Sequence, residues 1–300
     1  MGALRVAWLT AVAMLAFAAN SVLARLALST GAIDALAYSG IRLASGALVL
    51  ALILWLRGSR GSGSAQAPEG GALARLRGGS WAGAFSLGLY AVSFSIAYGQ
   101  VAAAPGALIL FASVQLSMWA WALWRGERPA ALQWLGMLLA LAALAYLMAP
   151  GLAAPPPWQG ALLMALAGAA WGAYCLVGRG SRAPLADTAG NFVRCALPGV
   201  VMLALGASRL RPSAQGVALA LVSGAVASGL GYIVWYGVLP HLSRTRAALV
   251  QLTVPVLAAA GGVVFIGEAL TARVALASLG VIGGVALALW AAGRRGGAAA

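Results

Sequence analysis

Residues 104–124 read APGALILFASVQLSMWAWALW, an apolar run with no Asp, Glu, Arg or Lys, and Arg125-Gly126-Glu127 follows at once. At 1.5 Å of rise per residue such a run makes a helix of roughly 30 Å, the thickness of the hydrocarbon core of a bilayer. Its polar side chains are the uncharged Ser113, Gln115 and Ser117, too few to make a face for water. Runs of this kind recur along the whole chain. Of the 300 residues 63% are hydrophobic and 8% charged, against roughly half and a quarter in a soluble domain. The sequence therefore specifies an all-α protein that crosses a bilayer many times, with no room for a separate soluble domain.

Read between Arg, Gly and Pro punctuation, the apolar runs predict about ten spans, beginning near Arg5, Ala35, Trp81, Ala104, Ala130, Trp158, Thr188, Gln215, Arg246 and Val274. One long connection, Arg57 to Ser80, is rich in Gly and Ser and carries Arg57, Arg60, Arg75 and Arg77, the composition of a flexible surface loop. Pro155-Pro156-Pro157 marks the midpoint. The first span, with Arg5 ahead of it and the small residues Ala16 to Ala19 within it, also has the look of a cleavable signal peptide. Its counterpart in the second half, starting at Trp158, argues for a retained helix. Cys175 and Cys195 fall inside spans and read as small buried hydrophobes.

The formal charge of +14 comes from nineteen basic residues, every one an Arg, set against Asp34, Glu69, Glu127, Asp187 and Glu268. The arginines are scattered at the ends of apolar runs and form no single basic face, which excludes nucleic acid as a partner. They accumulate instead in alternate connections: Arg5, the loop 57–80, Arg125, Arg128, Arg179, Arg182, Arg244, Arg246, Arg294 and Arg295 on one side. By the positive-inside rule that side is cytoplasmic and both termini lie there, in a multi-pass protein of the cytoplasmic (inner) membrane. The opposite side holds Arg209, Arg211 and Arg273.

The halves 1–150 and 151–300 resemble each other weakly but in order. Tyr98-Gly99 pairs with Tyr236-Gly237, the Pro105 to Ile109 segment with Arg246 to Val250, Gly126-Glu127 with Gly267-Glu268, and Arg42 with Arg194. Five spans per half is an odd number, so the second copy is inverted relative to the first. Ten helices in two inverted-topology repeats are a transporter architecture.

These motifs make the chain similar to the drug/metabolite transporter superfamily, in its ten-helix branch built from two EamA-type repeats. The resemblance spans essentially the whole chain and rests on three features. A polar or Trp-bearing motif occurs in the first span of each repeat (Phe17 to Ser21; Ala170 to Tyr174), an Arg in the second, and Gly-Glu after the fourth. Around Trp171 to Cys175 it is similar to the YddG-type exporters of aromatic and other amino acids. It departs from the family pattern at Asn20, where a Trp-Gly pair is common, and at Val114, where the second copy has Pro255.

Polar and aromatic residues within spans mark the expected substrate cavity, since lipid-facing positions have no use for them. In the third span Tyr90, Phe94 and Tyr98 recur at fours; in the eighth Ser228, Tyr232, Trp235 and Tyr236 fall at threes and fours. With Asn20 of the first span, Trp171 and Tyr174 of the sixth, Gln115 of the fourth and Gln251 of the ninth, they are the candidate substrate-binding residues. Such a site suits small amphipathic molecules, ring faces taking apolar groups or ammonium and hydroxyls or amides the polar ends. Helix packing and the interfacial belt are the competing readings, and Trp81, Trp124, Trp158 and Trp290 at span ends read as belt. Interhelical hydrogen-bond glue is the alternative for Asn20 and Gln251, with site-lining the preferred reading of Asn20.

Arg42 and Arg194 lie about two turns into their spans. A substrate carboxylate is one partner for such a charge; snorkelling or pairing with helix-end carbonyls is the reading preferred for both. Glu127 and Glu268 at span ends read as packing or gating salt bridges, and Pro105, Pro198 and Pro255 as helix starts or kinks. Small residues at Gly168/Gly172 and Gly224/Ser228 allow close helix contact.

No Asp or Glu falls mid-span, so coupling through a buried carboxylate relay is not expected, and export down a gradient by alternating access is. The partners are a small-molecule substrate and membrane lipids, with no cofactor, metal or catalytic residue. His241 at a span end, no Gly-x-Ser-x-Gly motif and no acid cluster speak against an intramembrane enzyme. A channel ranks below a carrier. Amphipathic drugs or nucleobase-like metabolites are the alternative cargo to aromatic and other neutral amino acids, and the sequence leaves the oligomeric state open.

Overall fold

In the computed structural model the described residues are 2–60, 77–126, 128–149, 155–179, 181–242, 247 and 250–298. Their regular structure is wholly helical. The first five helices are α1 (Ala3–Ser29), α2 (Ala35–Arg60), α3 (Trp81–Tyr98), α4 (Ala103–Trp124) and α5 (Ala131–Met148). The second half gives α6 (Trp158–Val177), α7 (Pro184–Arg209), α8 (Ala214–His241), α9 (Thr253–Ile266) and α10 (Ala272–Ala298). Among the described residues nine of these are long and apolar enough to cross a membrane, and α9 is the shorter one. Its expected start near Arg246, like Glu127 and most of the loop 57–80, lies outside the described residues.

The helix boundaries follow local chemistry. Asp34 accepts the Leu36 N–H at 2.7 Å at the start of α2, and Ser80 and Ser213 cap α3 and α8 by accepting from the Gly83 and Gly216 N–H groups at 3.0 Å. Gly126 and Gly267 take left-handed φ values of 83° and 74° and end α4 and α9. The Gly of each repeated Gly-Glu motif is thus the residue that stops a helix in a backbone conformation other residues resist.

The packing carries the internal symmetry. α2 lies against α7, α5 against α10 and α4 against α9, each pair mapping onto itself when helix i is exchanged for helix i+5. α6 packs on α3 and α4 just as α1 packs on α8 and α9. Five helices per half force the two copies to run in opposite senses, so the fold is an inverted repeat about an axis through these pairs. Two of the self-paired crossings are glycine on glycine. A side chain at Gly40 would strike the Gly199 carbonyl, and one at Gly136 the Gly284 carbonyl, so backbones touch at both α2–α7 and α5–α10.

Large apolar side chains such as Leu48, Phe85, Leu197 and Leu279 point outward, as a lipid-facing surface requires. Trp81, Trp124, Trp158 and Trp290 are exposed near helix ends. Two helices depart from α geometry. α8 is π-helical over Ser223–Leu230 and α9 over Gly262–Ile266, a widened turn that commonly marks a functional stretch. Pro198 sits inside α7. Pro105 is in the first turn of α4, where a backbone N–H has no partner to lose. Pro255 follows a break in the ninth span: residues 250–251 are helical, Leu252 is a turn and α9 resumes at Thr253, so the proline, which has no N–H to give the Gln251 carbonyl, sits at the interruption.

Candidate functional site

The third and eighth helices meet the first and sixth at the centre of the bundle, and there the aromatic residues form one connected array. Tyr98 packs edge-on to Phe94 with ring centroids 4.6 Å apart, Phe94 touches Tyr90 at 5.2 Å, and Tyr90 meets Trp171 at 5.0 Å. Trp171 stacks on Tyr174 at 5.3 Å and on Tyr232 at 5.7 Å, and Tyr232 on Tyr236 at 6.1 Å. Contacts at these separations add about 0.5–1.5 kcal/mol each beyond burial. The array therefore crosses from the first repeat into the second.

A chamber opens within it, walled by Phe17, Asn20, Ser21, Tyr90, Phe94, Leu110, Phe111, Trp171, Tyr232 and Gln251. Its free space is about 30 Å³, room for water but not for a metabolite. At that volume the surrounding rings would have to part before a metabolite-sized molecule could enter. Asn20 is fixed in the wall: its Oδ1 accepts from Ser223 Oγ at 2.8 Å and Ser228 Oγ at 3.4 Å, both on the π-helical stretch of α8. Gln251 donates to the Ala247 carbonyl at 3.2 Å while lining the chamber.

Polar clasps lie on both sides. At the end carrying the 99–102 and 267–271 connections, Arg25 Nε donates to Glu268 Oε1 at 2.8 Å and Arg25 Nη1 to the Tyr98 carbonyl at 3.1 Å. Glu268 Oε2 accepts the Ala103 N–H at 2.7 Å. One ion pair thus ties the ends of α1, α3 and α9 to the start of α4. Toward the opposite end the Tyr174 hydroxyl donates to Thr188 Oγ1 at 3.3 Å, and Thr188 donates to the Tyr236 hydroxyl at 3.0 Å, linking α6, α7 and α8.

The two repeated arginines have different surroundings. Arg194 reaches the connection ahead of α3: it donates to the carbonyls of Gly78 and Arg77 and lies over the Trp81 ring. Asp187 and Asn191, on the same helix, accept the N–H groups of Gly79 and Ser80 at 2.8 and 2.9 Å, so α7 fixes the entry to α3. Arg42 instead points inward and is 3% exposed. Its Nε donates to Ser228 at 3.4 Å and Nη2 to the Tyr90 hydroxyl at 3.2 Å, with its guanidinium carbon 4.8 Å from the Phe94 ring centroid.

A model of the EamA-like transporter family matches residues 158–290. The uncharacterized protein PA1977 of Pseudomonas aeruginosa is 49% identical over 281 residues, covering 94% of this chain and 93% of the relative. The chain belongs to the EamA-like transporter family. A solved crystal structure of a protein, 21% identical, shares its fold with a TM-score of 0.62 over 93% of this chain and 97% of its own. This EamA-like protein is accordingly a multi-pass membrane transporter.

Of the residues singled out from the sequence of this transporter, Asn20, Tyr90, Phe94, Trp171, Tyr232 and Gln251 line the chamber. Tyr98, Tyr174 and Tyr236 extend the array on either side, and Ser228 stands behind the wall between Arg42 and Asn20. Trp235 packs against Phe17 in a separate cluster with Ala13, Met14 and Val254, and the half-buried Gln115 lies outside the chamber walls. Sequence reasoning passed over Arg25, Thr188 and Ser223.

Proposed function

We propose that this transporter is a carrier that exports aromatic and other neutral amino acids, or similar small metabolites, across the cytoplasmic membrane by alternating access. The observation that carries this reading is the aromatic chamber shared by both repeats, with a polar clasp on each side of it. Ring faces suit an apolar side chain or an ammonium, and the amides of Asn20 and Gln251 suit polar ends. The similarity around Trp171 to Cys175 to amino-acid exporters of the YddG type supports the cargo class.

The two halves, 1–150 and 151–300, act as the moving units, and both termini face the cytoplasm in keeping with the arginine distribution. Rocking one repeat against the other opens the Arg25–Glu268 clasp and the Tyr174–Thr188–Tyr236 clasp in turn. No catalytic step and no cofactor is involved. The described carboxylates Asp34, Asp187 and Glu268 are each held near helix ends by named partners, so transport runs down the substrate gradient without a mid-membrane carboxylate relay.

The test is uptake of radiolabelled amino acids into proteoliposomes with and without a pH or sodium gradient. Saturable uptake in the absence of both gradients is expected, and strict dependence on either contradicts the coupling. Uptake of nucleobases or cationic amphiphiles in place of amino acids would transfer the reading to the alternative cargo.

A further inference from the structure

Arg42 presents a positive charge at the centre of the bundle with no carboxylate beside it among the described residues. Two of its nitrogens are bonded to neutral hydroxyls, Ser228 and Tyr90, and its guanidinium carbon lies 4.8 Å from the Phe94 and 5.2 Å from the Tyr90 ring centroid. The third, Nη1, is buried and has no hydrogen-bond acceptor among the described residues. The described carboxylates are committed elsewhere: Asp34 to the start of α2, Asp187 to Gly79, and Glu268 to Arg25. Hydroxyls and ring faces solvate a guanidinium but do not neutralise it, and an uncompensated charge away from water is costly. A protein that retains such a charge has a use for it or a transient partner for it.

The chamber is where that partner would come from. Tyr90 and Phe94, the rings that cover Arg42, are also chamber walls, and Ser228 joins Arg42 to Asn20, a third wall residue. The guanidinium therefore lies one ring behind the cavity, with its unsatisfied Nη1 donors in reserve. The opening of the rings that makes room for a ligand is the same movement that uncovers them. Arg194, its repeat counterpart, is spent on the Arg77 and Gly78 carbonyls ahead of α3, so of the two repeated arginines it is Arg42 that keeps a buried nitrogen without an acceptor among the described residues.

We propose that Arg42 is the anion subsite of the chamber and that it receives the carboxylate of the transported molecule. This rests on the carrier reading above and deepens it: the substrate must bear a carboxylate, and its apolar or ammonium part lies on the faces of Trp171 and Tyr232. Amines, amides and uncharged nucleobases lack the group that Arg42 needs. Discrimination comes from charge-assisted hydrogen bonds to Nη1.

The experiment compares four probes on the full-length wild-type protein in lipid nanodiscs: L-phenylalanine, L-phenylalaninamide, phenethylamine and 3-phenylpropionate. Thermal stabilisation and competition against radiolabelled L-phenylalanine are the readouts. The two carboxylates are expected to bind at least about tenfold tighter than the amide and the amine, the ratio that a single charge-assisted bond of roughly 1.4 kcal/mol supplies. Arg42→Gln should remove that ratio and Arg42→Lys restore part of it, with monodispersity on gel filtration as the control for folding. Because the four probes are compared on the wild type, the proposal stands or falls even if the variants fail to fold. Equal or tighter binding of amide and amine overturns the Arg42 assignment but leaves the carrier intact. Binding of none of the four overturns both the assignment and the aromatic amino-acid cargo.

Discussion

Arg25 and Glu268, 243 positions apart in the sequence, meet at 2.8 Å between Nε and Oε1, and each also bonds a helix-end backbone group of the first repeat. The pair therefore closes one end of the bundle in two ways, by charge and by capping. Glu268→Gln keeps the shape and removes the charge. It should cost about 1–2 kcal/mol of stability for a partly buried ion pair and change the exchange rate in proteoliposomes severalfold. The exchanged pair R25E/E268R should recover only part of the loss, since Glu at position 25 cannot donate to the Tyr98 carbonyl nor Arg at 268 accept from Ala103. Full wild-type rates in Glu268→Gln would show that the clasp takes no part in the transport cycle.

Thr188 joins Tyr174 to Tyr236 through two hydroxyl bonds. Thr188→Val has the same shape and neither bond. Loss of about 1–2 kcal/mol is expected, at roughly 1 kcal/mol per bond, together with an altered exchange rate and an unchanged order of substrate preference. A changed preference order with an unchanged rate would move Thr188 from the clasp to the binding surface.

Gly126 and Gly267 occupy matched left-handed positions, and neither has any atom within 4 Å of where a Cβ would stand. The cost of Gly126→Ala or Gly267→Ala is thus conformational, about 1–2 kcal/mol apiece. Gly237→Ala is the control: that site is equally open but helical, and there Ala should stabilise by up to about 1 kcal/mol. Detergent thermal melts of the three variants check the sign. Equal behaviour at all three would remove the special role of the Gly-Glu motif.

Gly136 and Gly284 bring α5 and α10 into backbone contact. Gly136→Leu must separate the helices and should cost about 3 kcal/mol or more, seen as lost folded yield. Substitution of the neighbouring Leu135, which is exposed, by Ala should leave yield unchanged. Tolerance of Leu at 136 would mean that the two helices do not cross there.

Much of the fold is written in the hydrophobic runs, because a bilayer rewards nothing else over 20 residues. The spans starting at Ala35, Trp81 and Trp158 begin where the apolar punctuation puts them. The ninth resists, since its apolar stretch is broken by polar Gln251 and Thr253 and its helix resumes only after Leu252. The π-helical turns of α8 and α9 have no periodic signature, because a run such as Ser223-Gly224-Ala225-Val226 is apolar and small at any pitch. Period-four spacing brought Tyr90 and Phe94 to one face, but the same spacing could not exclude Trp235, which turns toward Phe17 and a separate cluster. The repeat likewise equated Arg42 with Arg194, whereas burial, a property of the packed bundle, separates them. Arg25 was hidden for the opposite reason: its partner lies in the other half of the chain, where only tertiary structure can bring it.

The most direct test of the central claim, a carrier with an aromatic chamber, is counterflow. Proteoliposomes loaded with unlabelled L-phenylalanine are diluted into a trace of the radiolabelled compound. The account predicts a transient overshoot of label that saturates with concentration and is reduced at least about tenfold by the double variant W171A/Y232A, whose lost ring contacts come to more than 1.4 kcal/mol. A linear, non-saturating entry without overshoot would contradict it, and so would an overshoot that survives removal of both rings.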